Sequence, residues 1–162
     1  MKLVLISFFV FVFIVCRPSF SEVVFKTYDV KVSGIKIGKL YWNIEMNNEK
    51  YYNNLKLESR GLLSAIYNFN GEYLSEGTIA NKQLKPIKYT HLWQTKKIKK
   101  DMVLFFKKNK LISINQKPIE KESIKVDVFS IEGLKDPLTS FLEIILGEKS
   151  SLVVDGRRLY TM

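Results

Sequence analysis

The sequence is poor in the residues that most metal sites and activated nucleophiles use. Its 162 residues include one cysteine, Cys16, and one histidine, His91. A zinc site built from nitrogen and sulfur ligands needs several side chains of these types. Neither standard spacing of a glycine-rich phosphate loop occurs. We therefore expect no metal ligands, no cofactor and no catalytic residue that the sequence alone could identify.

Arginine is also scarce. The chain has 4 arginines against 22 lysines, although its formal net charge is +10. Arginine is the side chain whose planar fork recognises phosphate groups through two contacts at once. Its scarcity, together with the export signal described next, argues against a nucleic-acid partner.

An export signal is predicted over residues 1–21. Lys2 gives a short positive start, and Ser7 is the only polar residue in the 13-residue run 3–15. That run is shorter than the roughly 20 apolar residues that span a membrane. Pro18 and the small residues around it favour cleavage after Ser21, with a retained N-terminal anchor as the alternative. The expected location is the periplasm or another part of the envelope, with peripheral membrane contact at most.

Residues 22–162 are predicted to form a single β-rich domain. Short runs that alternate between apolar and polar residues are separated by turn residues, which is typical of antiparallel strands. On the strand that begins at Ile87, we expect Ile87, Tyr89, His91 and Trp93 to share one face. Strands are predicted at 23–32, 40–46, 51–59, 70–79, 87–94, 102–106, 111–114 and 124–129, with one helical turn or buried bend at 61–67.

One helix and one hairpin are predicted near the end of the sequence. Asp136 can cap a helix that has Pro137 at its first position and apolar residues at helical spacing up to Gly147. Asp155 and Gly156 form a strong hairpin signal. The predicted fold is mainly β, with an antiparallel sheet curled toward a barrel or half-barrel and one amphipathic helix near the C-terminus.

These landmarks resemble a family of exported bacterial proteins that is known only as a domain of unknown function. The resemblance implies a signal-bearing, β-rich envelope protein without known catalytic residues. It also implies further strands after the Asp-Gly hairpin, so we expect the domain to be incomplete at its C-terminus. The matching segments are 28–30, 34–38, the Gly-Leu-Leu-Ser segment within 60–67, Gly71, Pro86, Tyr89, the Asp-Pro-Leu segment 136–138 and 154–158.

Two groups of residues are candidates for binding. Trp42, Tyr89, His91 and Trp93 could line a concave sheet face with the predicted helix as a lid, and such a cavity would suit a lipid or another amphiphile. An ordinary filled core is the alternative and is the commoner outcome. The second group could contact anionic headgroups or could protect exposed strand edges. It consists of Lys96, Lys97, Lys99, Lys100, Lys107, Lys108 and Lys110.

The sequence therefore favours a non-enzymatic envelope protein that binds a lipid-like or anionic envelope component. Two alternatives stay open at this point. One is an assembly factor that pairs with another envelope protein through an open sheet edge. The other is a hydrolase that uses His91, although the sequence has no Gly-x-Ser-x-Gly nucleophile motif.

Overall fold

The structure, a computed structural model, describes residues 22–65, 68–119, 126–148, 151–156 and 158–162. Seven antiparallel strands form one sheet in the order of the sequence, and one helix and a two-stranded sheet follow. The elements are β1 (Glu22–Val32), β2 (Ile35–Met46), β3 (Lys50–Ser59), a 3-10 turn (Leu62–Ala65), β4 (Phe69–Ala80), β5 (Gln83–Thr95), β6 (Lys99–Lys107), β7 (Lys110–Lys117), α1 (Pro137–Ile145), β8 (Leu152–Asp155) and β9 (Arg158–Thr161).

The connections between neighbouring strands alternate between the two ends of the sheet. At one end, which we call the 96–98 end, lie the turns 33–34 and 96–98. At the other, the 108–109 end, lie the turns 81–82 and 108–109. The two-residue turns hold both central residues at positive φ, which is the geometry that joins twisted antiparallel strands most tightly. Because each strand pairs with the next one, local turn signals are sufficient to fix this topology.

Three of the hairpins carry a β-bulge. The extra residues are Ile37, Ile87 and Ile112, each in the second strand of its hairpin. An extra residue breaks the two-residue alternation of a strand. Pro86 and Tyr89 are therefore both buried, whereas Ile87 between them is 48% exposed. The prediction that Ile87 shares a face with Tyr89 is wrong for this reason.

The C-terminal elements cover one face of the sheet, which we call the inner face. Helix α1, the loop before it and the β8–β9 hairpin all contribute residues to the core. The main core cluster consists of Tyr89, Met102, Leu104, Phe106, Leu111, Val128, Leu134, Leu138 and Val154.

The predicted strand at 124–129 is wrong where the structure describes it, and residues 124 and 125 lie outside the described part. Residues 127–130 form a turn in which the Ser130 N–H donates to the Asp127 carbonyl oxygen. Val128 on this turn is 1% exposed, whereas Val126 is 48% exposed. One buried residue from a loop produces the same short alternation as a strand, so the pattern could not distinguish the two.

The helix and its signals are confirmed. The Asp136 side chain accepts a hydrogen bond from the Thr139 N–H, and Pro137 occupies the first helical position. Gly147 follows the helix at φ +85°, a conformation that costs glycine little. The β8–β9 hairpin around Gly156 and the 3-10 turn at 62–65 are also confirmed, and residues 66–67 lie outside the described part.

The predicted class of fold is confirmed: a mainly β protein with a seven-stranded antiparallel sheet and one helix near the C-terminus. The sheet does not close into a barrel: over the described residues, β1 and β7 are its two edge strands. The predicted export signal at 1–21 lies outside those residues. Within them, no helix combines the length and the apolar character that crossing a membrane requires.

Candidate functional site

Helix α1 covers two of the four candidate aromatic residues. Tyr89 is 1% exposed and belongs to the same core cluster as Leu138 of the helix. The Trp42 ring lies 5.5 Å from the Phe141 ring, and its Nε1–H donates to Asn53 Oδ1 at 2.7 Å. Both residues hold the helix on the sheet, as side chains of a filled core do.

His91 and Trp93 lie further along β5, toward the 96–98 end. The His91 ring stacks on Tyr73 at 4.5 Å between centroids. Trp93 stacks on Phe69 at 5.6 Å and lies over Gly71, where a Cβ atom would come within 2.8 Å of the indole ring. The four candidate residues therefore share the inner face but are divided among separate packing contacts.

A polar network is buried where α1 meets β3 and β4. The Ser75 hydroxyl donates to Asp136 Oδ2 at 2.9 Å, and it lies 2.8 Å from Thr139 Oγ1. The Tyr51 hydroxyl is 2.7 Å from the same Thr139 oxygen. Burial raises the pKa of Asp136 to about 6, and hydrogen bonds from Thr139 and Ser75 oppose the rise. Burial also raises the pKa of Tyr51.

Further hydrogen bonds continue this network along the helix. Asn53 is fully buried and donates from Nδ2 to the Leu138 carbonyl oxygen at 3.1 Å. Near the other end of the helix, Glu143 pairs with Lys135 and accepts from the Leu84 N–H at 3.0 Å. The sequence indicated Asp136 as a cap only. The signal that could have revealed the other members of the network was the presence of polar residues, such as Asn53 and Ser75, at inward positions of predicted strands.

A second polar contact lies under the β8–β9 hairpin. His91 Nδ1 and Asp155 Oδ1 are 3.8 Å apart, which is too far for a hydrogen bond. Both atoms are buried and have no hydrogen-bond partner among the described residues, and the same holds for both amide atoms of Gln116. Gly156 leaves room for this side chain, since a Cβ there would lie 3.0 Å from Gln116 Oε1.

The candidate lysines do not form one cluster. Lys96, Lys97, Lys99 and Lys100 lie at the 96–98 end, and Lys107, Lys108 and Lys110 lie at the 108–109 end. Strand β6, from Lys99 to Lys107, separates the two groups by about 26 Å, at roughly 3.3 Å a residue. Lys110 pairs with Glu132 at 2.9 Å, which offsets its charge.

At the 108–109 end, lysines surround an exposed apolar surface on the face of the sheet opposite to the helix. We call it the apolar–basic patch and define it by six residues. They line a concavity of about 740 Å³ whose described lining contains no acidic side chain. Ile87 is 48% exposed and Ile112 is 54% exposed. The patch consists of Lys85, Ile87, Phe105, Lys107, Lys108 and Ile112.

The β-bulges explain why the sequence did not reveal this patch. Strict alternation places Ile87 on the inner face with Tyr89, and only the extra residue turns it outward. A second bulge leaves Ile112 without a direct partner on β6, beside Phe105. Lys107 and Lys108 were candidates from the sequence, whereas Lys85 was not. Bulges in strands leave no strong signal in a single sequence.

The fold and the site define a class of protein, an open antiparallel meander covered on one face by a C-terminal helix and hairpin, with a basic and apolar patch on the other face. The family model DUF3108, described as a protein of unknown function, matches residues 27–156, and the chain belongs to this family. No curated protein and no solved structure matches the chain.

Proposed function

We propose that this protein binds anionic lipid surfaces of the cell envelope peripherally, through the apolar–basic patch, and has no catalytic role. The observation that carries the proposal is the position of three lysines around exposed apolar side chains. The predicted export signal supports a location in the envelope. The proposed partner is the anionic envelope component that the sequence predicts. The proposed contact is limited to one end of the sheet, where the apolar–basic patch lies.

The physics of the interface favours this combination of residues. A lysine near an anionic bilayer contributes roughly 1 kcal/mol, and three of them contribute about 3 kcal/mol, or on the order of 100-fold in affinity. Apolar side chains that enter the interface add an attraction that salt does not screen. Lysine also reaches a surface easily, because its flexible stem lets the ammonium group move to the headgroups.

The test is binding to vesicles of phosphatidylglycerol and phosphatidylcholine, measured by co-sedimentation. We expect binding to anionic vesicles and none to vesicles of pure phosphatidylcholine. The combined variant Lys85→Gln, Lys107→Gln and Lys108→Gln should bind on the order of 100-fold more weakly. Glutamine removes the charge and keeps a polar side chain of similar reach, so the fold should be preserved.

The matched control removes three charges elsewhere. Lys26, Lys31 and Lys50 are exposed and lie outside the patch, so their triple change to glutamine lowers the net charge equally. This control should retain most of the affinity. An equal loss in both triple variants would mean that net charge alone attracts the protein, and the proposed site would then be wrong. Unchanged binding in the patch variant would have the same meaning.

A further inference from the structure

The other lysine group also stands beside an exposed apolar side chain. At the tip of the β5–β6 hairpin, Ile98 is 60% exposed and lies between Lys97 and Lys99, which are both exposed. We call these three residues the hairpin tip. Lys96 does not belong to it, because its ammonium group donates to the Ala65 carbonyl oxygen at 3.1 Å.

The turn that presents the hairpin tip is well ordered by its own hydrogen bonds. The Thr95 N–H donates to the Ile98 carbonyl oxygen at 2.7 Å. The Thr95 hydroxyl oxygen accepts from the N–H groups of Lys97 and Ile98, at 3.2 and 3.0 Å. The tip is thus a fixed projection, which loses little conformational freedom when it meets a surface.

The hairpin tip and the apolar–basic patch lie at opposite ends of the sheet. Lys99 begins β6 and Lys107 ends it, and a nine-residue strand holds them about 26 Å apart. A flat bilayer that contacts the patch with the strands upright therefore cannot reach the tip. Each end combines exposed lysines with an exposed isoleucine, and this is the composition of a contact with an anionic interface.

We propose that the protein is bivalent, and that it bridges two anionic lipid surfaces with the patch on one and the hairpin tip on the other. This inference rests on the proposed function for the first contact and adds the second. Positive charge and an apolar side chain at both ends make a bilayer of anionic lipid the complementary partner at both. Linking two contacts through one rigid body is what converts binding into tethering.

The experiment measures binding and tethering separately, with phosphatidylglycerol vesicles at low protein-to-lipid ratio. Co-sedimentation reports binding, and dynamic light scattering reports vesicle clustering. The native chain should bind and cluster vesicles. The tip variant Lys97→Gln, Ile98→Ser and Lys99→Gln should bind within about twofold of the native chain but cluster vesicles at least tenfold more slowly. The matched control Val23→Ser, Lys26→Gln and Lys31→Gln, all exposed positions on β1, should do both.

The possible results separate the two claims. Binding without clustering by the native chain overturns the bridging and leaves the proposed function intact. No binding at all overturns both. Clustering that persists in the tip variant shows that vesicles are linked by self-association of bound molecules, and this also overturns the bridging. Equal loss of clustering in the tip variant and in the β1 control assigns the effect to net charge and overturns it as well.

Discussion

The C-terminal segment meets the inner face of the sheet in two places, and the two contacts are built differently. Under α1, Asp136, Ser75, Thr139 and Asn53 are fully buried and all take part in hydrogen bonds. Under the β8–β9 hairpin, the buried polar atoms of His91, Gln116 and Asp155 make no hydrogen bond to any described residue, and His91 approaches Asp155 only to 3.8 Å. The two contacts share a core but differ in how completely their polar groups are paired.

This difference means that the contact under α1 fixes the position of the helix on the sheet, whereas the contact under the hairpin attaches it without fixing its position. A buried polar group without a partner costs about 1–3 kcal/mol, so the paired groups under α1 favour one position of the helix over its alternatives. The hairpin is held mainly by apolar burial, with Val153 and Val154 at 0% exposure. Apolar attraction is not directional. We therefore expect the helix contact to respond strongly to single polar substitutions and the hairpin contact to respond weakly.

The largest expected effect comes from Asp136→Ala, measured by urea unfolding at pH 5. The change removes the helix cap and the carboxyl oxygen that accepts from the hydroxyls of both Ser75 and Thr139. Loss of the cap costs about 1 kcal/mol, and loss of the carboxyl acceptor from the buried hydroxyl cluster adds about 1–3 kcal/mol. We expect a loss of about 3 kcal/mol. A loss below about 1 kcal/mol would show that the network does not hold the helix.

The second effect is a dependence of stability on pH that originates in the helix contact. The pKa of Asp136 is about 6 in the folded protein, against an ordinary value of 3.8 for an aspartic acid. Since the folded state binds the proton of Asp136 more tightly than the unfolded state does, this carboxyl adds to the free energy of unfolding. Its contribution is complete below pH 3.8 and is lost as pH rises through 6. The loss amounts to at most about 3 kcal/mol, at 1.36 kcal/mol for each unit of pKa.

The variant Asp136→Asn isolates this contribution. Asparagine keeps the cap and cannot ionise, so the free energy of unfolding between pH 4 and 7 should become flatter than in the native chain. The pKa values of Asp29 and Glu58 are lowered by hydrogen bonds from Lys36 and Arg60, so the stability that these two carboxyls add is complete above their ordinary pKa values of 3.8 and 4.5. It is lost as pH falls below those values, which is opposite in sign to the effect of Asp136 and is confined to the acidic end of the range. A native chain whose stability is constant from pH 4 to 7 would contradict the prediction.

The smallest effects come from replacing one buried polar side chain by an apolar one in each of the two contacts. Asn53→Leu leaves the Trp42 N–H without its acceptor and removes one donor from the Leu138 carbonyl oxygen, and we expect a loss of about 2 kcal/mol. Gln116→Met replaces a buried amide that has no described partner by an apolar chain of the same length. We expect a change within about 0.5 kcal/mol, or a slight gain. Urea unfolding of both variants at one pH measures the difference, and equal losses would contradict the distinction between the contacts.

Local patterns predicted most of the secondary structure, because each turn, cap and strand depends on residues that are close together in the sequence. The turn at Gly34, the cap at Asp136 and the hairpin at Gly156 need only a few consecutive side chains to form. The alternation in β2 needs only one buried face. The mainly β class with one C-terminal helix follows from these signals together.

The candidate site depended on information that is not local. The exposure of Ile87 and Ile112 follows from bulges, which are defined by how two strands pair and not by either strand alone. Lys85 belongs to the patch because strand pairing brings it to the same concavity as Lys107. For the same reason, the sequence could not tell whether the two lysine groups converge or lie at opposite ends.

The sequence by itself determined the order of strands, the helix with its cap, and the surplus of lysine between 82 and 110, because these features are set by residues close together in the chain. The tertiary structure alone decided which face each isoleucine takes, which polar side chains meet inside, and which lysines share a surface. These depend on strand register and on the docking of α1 and the hairpin, and both are settled only when distant segments pack against one another.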